Sequence, residues 1–199
     1  MLKEVTHSKW FVPIIALLIA LFFLPFFAPR FYVYILALIC VTSLLAMSLN
    51  LVVGHGGMFQ FHHGVFYGVG AYTLALMLKK TSLPMWMGFI AGPIVAAIIG
   101  LVIGWFCIRL TRLYFGMLQI SLGSLIWVIV FRWYSFTGGD DGIPGIPMPS
   151  FLSNLKSTYY FILLSLVISL IIMYLILKSP FGNTLRAIRD NPQRCEAIG

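Results

Sequence analysis

Long apolar runs alternate with short polar breaks along this chain. The runs fall at about residues 11–28, 31–53, 58–78, 84–108, 113–131 and 159–177. A helix crossing a bilayer needs about twenty apolar residues, because each adds only about 1.5 Å of rise. The runs have that length and show no period-two alternation, which excludes an outer-membrane barrel. In hydrocarbon the backbone must satisfy its own hydrogen bonds, and a helix does so within one segment. The pattern therefore predicts an all-α, polytopic membrane protein with about six transmembrane helices.

The breaks carry the chemistry expected of helix ends. Pro29-Arg30 closes the first run, and Gly54-His55-Gly56-Gly57 closes the second, since neighbouring glycines favour turns over helix. Lys79-Lys80 closes the third, Arg109 and Arg112 precede the fifth, and a Gly- and Pro-rich loop, Thr137 to Pro149, follows it. A polar tail runs from Lys178 to Gly199. The third run is the least typical. It is glycine-rich, holds Gln60, His62 and His63, and reads either as a full crossing or as a re-entrant segment.

Composition agrees with this pattern. Hydrophobic residues make up 61% and charged residues 9% of the chain, against roughly 25% charged in soluble domains. Mean hydropathy is +1.01. The net charge of +8 sits in the breaks, as orientation signals do, and not on one basic face for nucleic acid. With all six runs crossing, Lys3, Lys9, Arg109, Arg112, Lys178, Arg186, Arg189 and Arg194 fall on one side. Arg30, Lys79, Lys80, Arg132 and Lys156 fall on the other, so a cytoplasmic amino terminus is expected. The first run is too long for a signal peptide and lacks a small-residue cleavage site, so it is read as a retained span. Cys40, Cys107 and Cys195 are far apart and odd in number, which predicts free thiols.

Candidate functional residues follow from helical spacing. Gly88, Gly92, Ala96, Gly100 and Gly104 recur every four residues, a smooth ridge for close helix packing. Gly64 and Gly68, with Gly70 beyond, form a shorter version. Ser43, Ala46 and Asn50 share one face of the second run, and Arg112, Gly116, Gln119 and Gly123 share one face of the fifth. Polar residues inside a membrane point inward, either to bond neighbouring helices or to line a pathway. Ser43, Asn50, Gln60, His62, Tyr72 and Gln119 are the candidate pathway residues. His62 and His63 project about 100° apart on a helix, and no intramembrane carboxylate joins them, so no metal site is expected. A membrane-embedded metal enzyme built on the histidines is the alternative of a different class. The chain has no G-x-x-x-x-G-K-[ST] loop for a nucleotide. In the tail, Phe181, Leu185 and Ile188 form an apolar face, and Asn191-Pro192 reads as a cap and first turn of another helix. Such a helix lies on lipid or docks in a partner's groove.

Four stretches together resemble the permease subunits of ABC importers for branched-chain amino acids, of the LivM-like type. They are Asn50-Leu-Val-Val-Gly54 leading to Phe66-Tyr-Gly-Val-Gly-Ala-Tyr-Thr73; Arg109-Leu-Thr-Arg-Leu-Tyr114; Thr137-Gly-Gly-Asp-Asp-Gly-Ile143; and Ser179-Pro-Phe-Gly-Asn-Thr-Leu-Arg-Ala-Ile-Arg-Asp-Asn191, continuing to Cys195-Glu-Ala-Ile-Gly199. The resemblance implies a non-enzymatic permease in the cytoplasmic (inner) membrane. Its implied partners are a second, homologous permease subunit, two cytosolic ATPases and an extracytoplasmic substrate-binding protein. ATP would be bound by the ATPases alone, and this chain would need no cofactor. Residues 1–178 would form the transmembrane domain and 179–199 a cytoplasmic coupling loop, with Phe181, Gly182, Leu185, Arg186, Ile188 and Arg189 meeting the ATPase. A related importer of urea or short amides is the near alternative. Where the family shows a serine- and leucine-rich stretch, this chain has Phe59-Gln-Phe-His-His63. The family pattern continues past the coupling loop, so the chain is expected to be truncated there, while Met1 reads as a genuine start.

Overall fold

The computed structural model describes residues 11–81, 84–110 and 112–198, and the described residues are helical with no strand. In chain order they form α1 (Phe11–Phe27), α2 (Arg30–Asn50), a π-helical turn (Leu51–His55), α3 (His63–Lys80), α4 (Met85–Cys107), α5 (Arg112–Arg132), the short α6 (Tyr134–Thr137), α7 (Leu155–Lys178), α8 (Pro180–Asp190) and α9 (Pro192–Ile198). Single 3₁₀ turns occupy Gly139–Asp141 and Ser150–Leu152. Among the described residues four stretches are long and apolar enough to cross a membrane: Arg30–His55, Met85–Cys107, Tyr114–Arg132 and Leu155–Lys178. Ala16–Phe27 is a shorter apolar helix, and α3 is not among the four. The run expected to be helical from residue 58 becomes helix only at His63, because Gly56-Gly57 and the residues after them leave the helical path. Lys3 and Lys9, used above for orientation, lie outside the described residues.

The chain divides into two compact units, one of residues 1–44 and 150–170, the other of 45–149 and 171–199. The first unit is built on Val33, Ala37 and Cys40 of α2 and Tyr159, Leu163 and Leu166 of α7, all buried together. Steps of four and then three residues on both helices put one stripe of each into the contact. Here α1 carries Pro25 in its interior. Proline has no N–H, so the Leu21 carbonyl four residues earlier loses its helical donor. The fully buried Tyr159 supplies one instead, its hydroxyl donating to Leu21 O at 2.8 Å. Tyr160 donates to the next carbonyl, Phe22 O, at 3.1 Å.

The second unit is organised by α3 against α4. A Cβ on Gly92 would sit 3.1 Å from the Gly70 carbonyl oxygen, so the two backbones meet there without side chains between them. Gly88 faces Leu74 and Gly100 faces the Phe66 ring. The ridge stops short of its expected end, for Gly104 is exposed and a Cβ there would meet nothing within 4 Å. On α3 the expected pair Gly64 and Gly68 also meets nothing, and Gly70 makes the close contact. The crossing point decides which small residues are used, and helical spacing alone does not locate it. Beyond α5, Lys79 donates to Pro144 O at 3.1 Å and the Lys80 ammonium lies 4.3 Å from the Phe136 ring centre, tying α6 and the loop after it to the end of α3. Tyr134 donates to Asp141 in that loop, a bond that raises the phenol's pKa, helped by the carboxylate charge.

Candidate functional site

Two features of the second unit bear on function: a cluster of buried polar groups and the helical tail that packs on the glycine break leading to it. The cluster begins where the chain leaves the π-helical turn. Residues 58–62 are non-helical and carry Gln60 and His62 towards α5. There α5 presents Gly116 and Gly123, both buried, on either side of Gln119. A Cβ on Gly123 would sit 2.8 Å from His62 Cβ, and one on Gly116 3.2 Å from the Phe61 ring. The glycines leave room for His62 to lie against α5, facing Gln119.

Burial at this point is nearly complete. His62 is 6% exposed and Gln119 5% exposed. Both ring nitrogens of His62, Gln119 Oε1, Gln60 Oε1 and His63 Nδ1 are buried and make no well-aligned hydrogen bond, Gln119 being the polar neighbour of His62. The His62 ring is set edge-on to Phe66, with centres 4.9 Å apart. His63 Nε2 lies 2.7 Å from Ser48 Oγ, whose own proton goes to Leu45 O at 2.8 Å. The hydroxyl has one proton, so His63 Nε2–H donates to Ser48 and its Nδ1 is left as an unmet acceptor. An unmet buried polar group costs about 1–3 kcal/mol, so several in one place mark a cluster suited to water or a polar solute.

The other pathway candidates lie elsewhere. Tyr72 is half-buried and lines a small cavity of about 200 Å³ with Ile143 and Ile146. Ser43, Ala46 and Asn50, expected to point inward, are exposed. The described residues do not cover that face of α2. Asn50 turns its side chain onto Gly54, where a Cβ would collide with the Asn50 amide. Among the described residues no group of three or more His, Cys, Asp or Glu is placed to hold a metal ion.

The tail begins with a corner between α7 and α8. Ser179 caps α8, its Oγ accepting from Gly182 N at 3.4 Å and donating to Ile176 O at 2.6 Å, and Pro180 takes the first helical position. Gly182 is buried against α7, where a Cβ would lie 2.5 Å from Leu177 O and 2.6 Å from Ile176 O. Arg186 Nη2 donates to the same Leu177 carbonyl at 2.9 Å. A cation on the unpaired carbonyls at a helix C-terminus is doubly favourable, by hydrogen bond and by dipole. Asn191 Oδ1 accepts from Arg194 N at 3.1 Å and so opens α9.

On α8 the residues expected to face a partner divide. Phe181 is 62% exposed and Ile188 44% exposed. Leu185 is half-buried, its Cδ2 3.1 Å from where a Gly56 Cβ would be. Arg189 Nη1 donates to Gly54 O at 2.7 Å. Helical spacing alone missed the half-burial of Leu185 and Arg186 and the bond from the exposed Arg189 to Gly54. A cavity of about 310 Å³ lies beside this contact, lined by Gly57, Met58, Phe59, Phe115, Ile188 and Arg189 among others.

Comparison with known proteins assigns these features a context. A family model described as "Branched-chain amino acid transport system / permease component" matches residues 31–199. The chain is 27% identical to the high-affinity branched-chain amino acid transport system permease protein LivM of Escherichia coli, over 100% of the chain and 56% of that protein. The corresponding LivM protein of Salmonella typhimurium is also 27% identical, over 99% of the chain and 56% of its length. The chain thus spans about half the length of these relatives. No solved structure gives a significant match.

Proposed function

Because the chain belongs to the family of branched-chain amino acid transport system permease components, a family of transport proteins and not of enzymes, we propose that it serves as the membrane-spanning permease subunit of a binding-protein-dependent ABC importer. Its solute is a branched-chain amino acid, and its place is the cytoplasmic membrane with the tail on the cytoplasmic side. The arrangement that carries this reading is an amphipathic α8 seated on the glycine break that leads to the buried His62–Gln119 cluster.

In this reading Phe181 offers an apolar anchor to a cytosolic ATPase, as an amphipathic helix does in a groove. ATP binds the two ATPases, a second permease subunit completes the pathway, and an extracytoplasmic binding protein delivers the solute. Gln60, His62 and Gln119 then supply neutral hydrogen-bonding groups along the pathway. Nucleotide-driven closure of the ATPases shifts the population between outward- and inward-facing states.

Reconstitution tests the reading. The complete permease complex in vesicles should take up labelled leucine with ATP inside and binding protein outside. Uptake of labelled urea in place of leucine would overturn the solute assignment, and failure to co-purify with an ATPase would overturn the importer assignment.

A further inference from the structure

Arg189 sits on the helix read above as a docking element, yet its side chain is committed to its own chain. Nη1 holds the Gly54 carbonyl at 2.7 Å. Nε and Nη2 each lie 3.2 Å from Asp190 Oδ1. Both partners of that ion pair are well exposed, at 45% and 68%, so it adds little stability and serves to hold the guanidinium fork. The fork is thereby aimed at the break.

The seat beneath Arg189 is made for it. Gly57 has a φ of +66°, a conformation that side-chain-bearing residues rarely adopt. A Cβ there would collide with Arg189 Cγ and lie 3.1 Å from Arg189 Cβ. Leu185, one turn earlier on α8, covers Gly56. So α8 rests on the 54–57 segment through two side chains and one charged hydrogen bond.

That segment is a place where the helical ladder has already changed. Leu51–His55 is π-helical, a geometry that recurs at functional sites. Gly54 O, near the end of the turn, is free to accept from outside. From Gly57, five non-helical residues lead to His62, a short stretch that joins the seat of α8 directly to the cluster. His62 ends against Gln119 and Gly123, among polar atoms that gain partners if the cluster opens.

We propose that Arg189 is a positioning residue that latches α8 to the Gly54–Gly57 break and so holds the Gln60–His62 segment closed against α5. When α8 is displaced, Gly54 is released and the His62–Gln119 cluster opens to water or a polar solute. The source of the displacement rests on the function proposed above; the latch itself does not.

Two measurements test it, on wild type, Arg189→Ala and Arg189→Lys. The first is amide hydrogen exchange of the permease complex in nanodiscs. Losing a charged hydrogen bond should raise exchange across residues 54–62 about tenfold in Arg189→Ala, with a smaller rise in Arg189→Lys and no change in α4. Unchanged exchange at 54–62 overturns the latch. The second is solute transported per ATP hydrolysed in vesicles, which should fall severalfold in Arg189→Ala and recover in part in Arg189→Lys. Faster exchange with an unaltered ratio would make Arg189 a local cap only and overturn its link to the cluster. A wild-type complex that hydrolyses no ATP would sink the importer reading, while the exchange data would still judge the latch.

Discussion

Tyr159 shows what a single hydroxyl does in this protein. It is fully buried and bonds the carbonyl that Pro25 deprives of its helical donor. In water such a carbonyl would be hydrated, but in hydrocarbon it has no alternative partner. Tyr159→Phe removes the donor and keeps the ring, so it should destabilise the protein by about 1–3 kcal/mol. Thermal unfolding in detergent reads this, and a double variant with Pro25→Ala should recover much of the loss, because alanine restores the N–H. An unaltered melting temperature in Tyr159→Phe would show that the bond is not needed. This pairing was not legible in the sequence. Pro25 and Tyr159 each stand out alone, but nothing in local spacing joins residues so far apart along the chain. His62 was legible as a polar residue beside a glycine break, whereas its burial against Gly123 required the crossing of two elements.

At the scale of elements, the approach of α3 to α4 is governed by two glycines of unequal tolerance. A Cβ on Gly92 would be 3.1 Å from a backbone oxygen, whereas one on Gly70 would meet Gly92 O at 3.8 Å. Gly70→Ala should therefore be nearly neutral. Gly92→Leu should force the helices apart and cost about 1–3 kcal/mol by overpacking, measured by thermal unfolding of the two variants. Equal effects of the two would contradict the crossing point. The ridge itself could be read from its four-residue period, yet its working length could not. Gly104 belongs to the pattern and faces open space, while Gly70 lies outside the expected pair and makes the contact. Period reveals which residues share a face, but the crossing of the axes decides which of them touch. The helix ends were more transparent, because Ser179-Pro180 and Asn191-Pro192 carry their own capping chemistry.

For the molecule as a whole, the apolar runs were enough to predict helices in a membrane, since run length and backbone hydrogen bonding admit few alternatives. The same patterning made α8 visible as amphipathic, but it treated Phe181 and Leu185 as equivalent. They are not. Phe181 is open and Leu185 packs onto Gly56. If α8 docks on an ATPase as proposed, Phe181→Asp should leave the melting temperature unchanged and weaken that capture by more than about tenfold, as expected for an anchor residue of an interface. Leu185→Asp should lower the melting temperature as well. Pull-down and thermal unfolding on both variants separate these outcomes, and an ATPase complex indifferent to Phe181→Asp would remove α8 as its docking element.

The corner at Gly182 bears on how force passes through such a molecule. Three residues after Ser179 caps α8, the backbone of Gly182 is pressed on the last carbonyls of α7, and Arg186 clasps the Leu177 carbonyl from the next turn. There is no slack in that joint. A pull on Phe181 is thus not spent in straightening a tether. It acts as torque on a stiff elbow whose far arm ends at Arg189, so a small rotation at the corner arrives at the glycine break as a displacement of similar size.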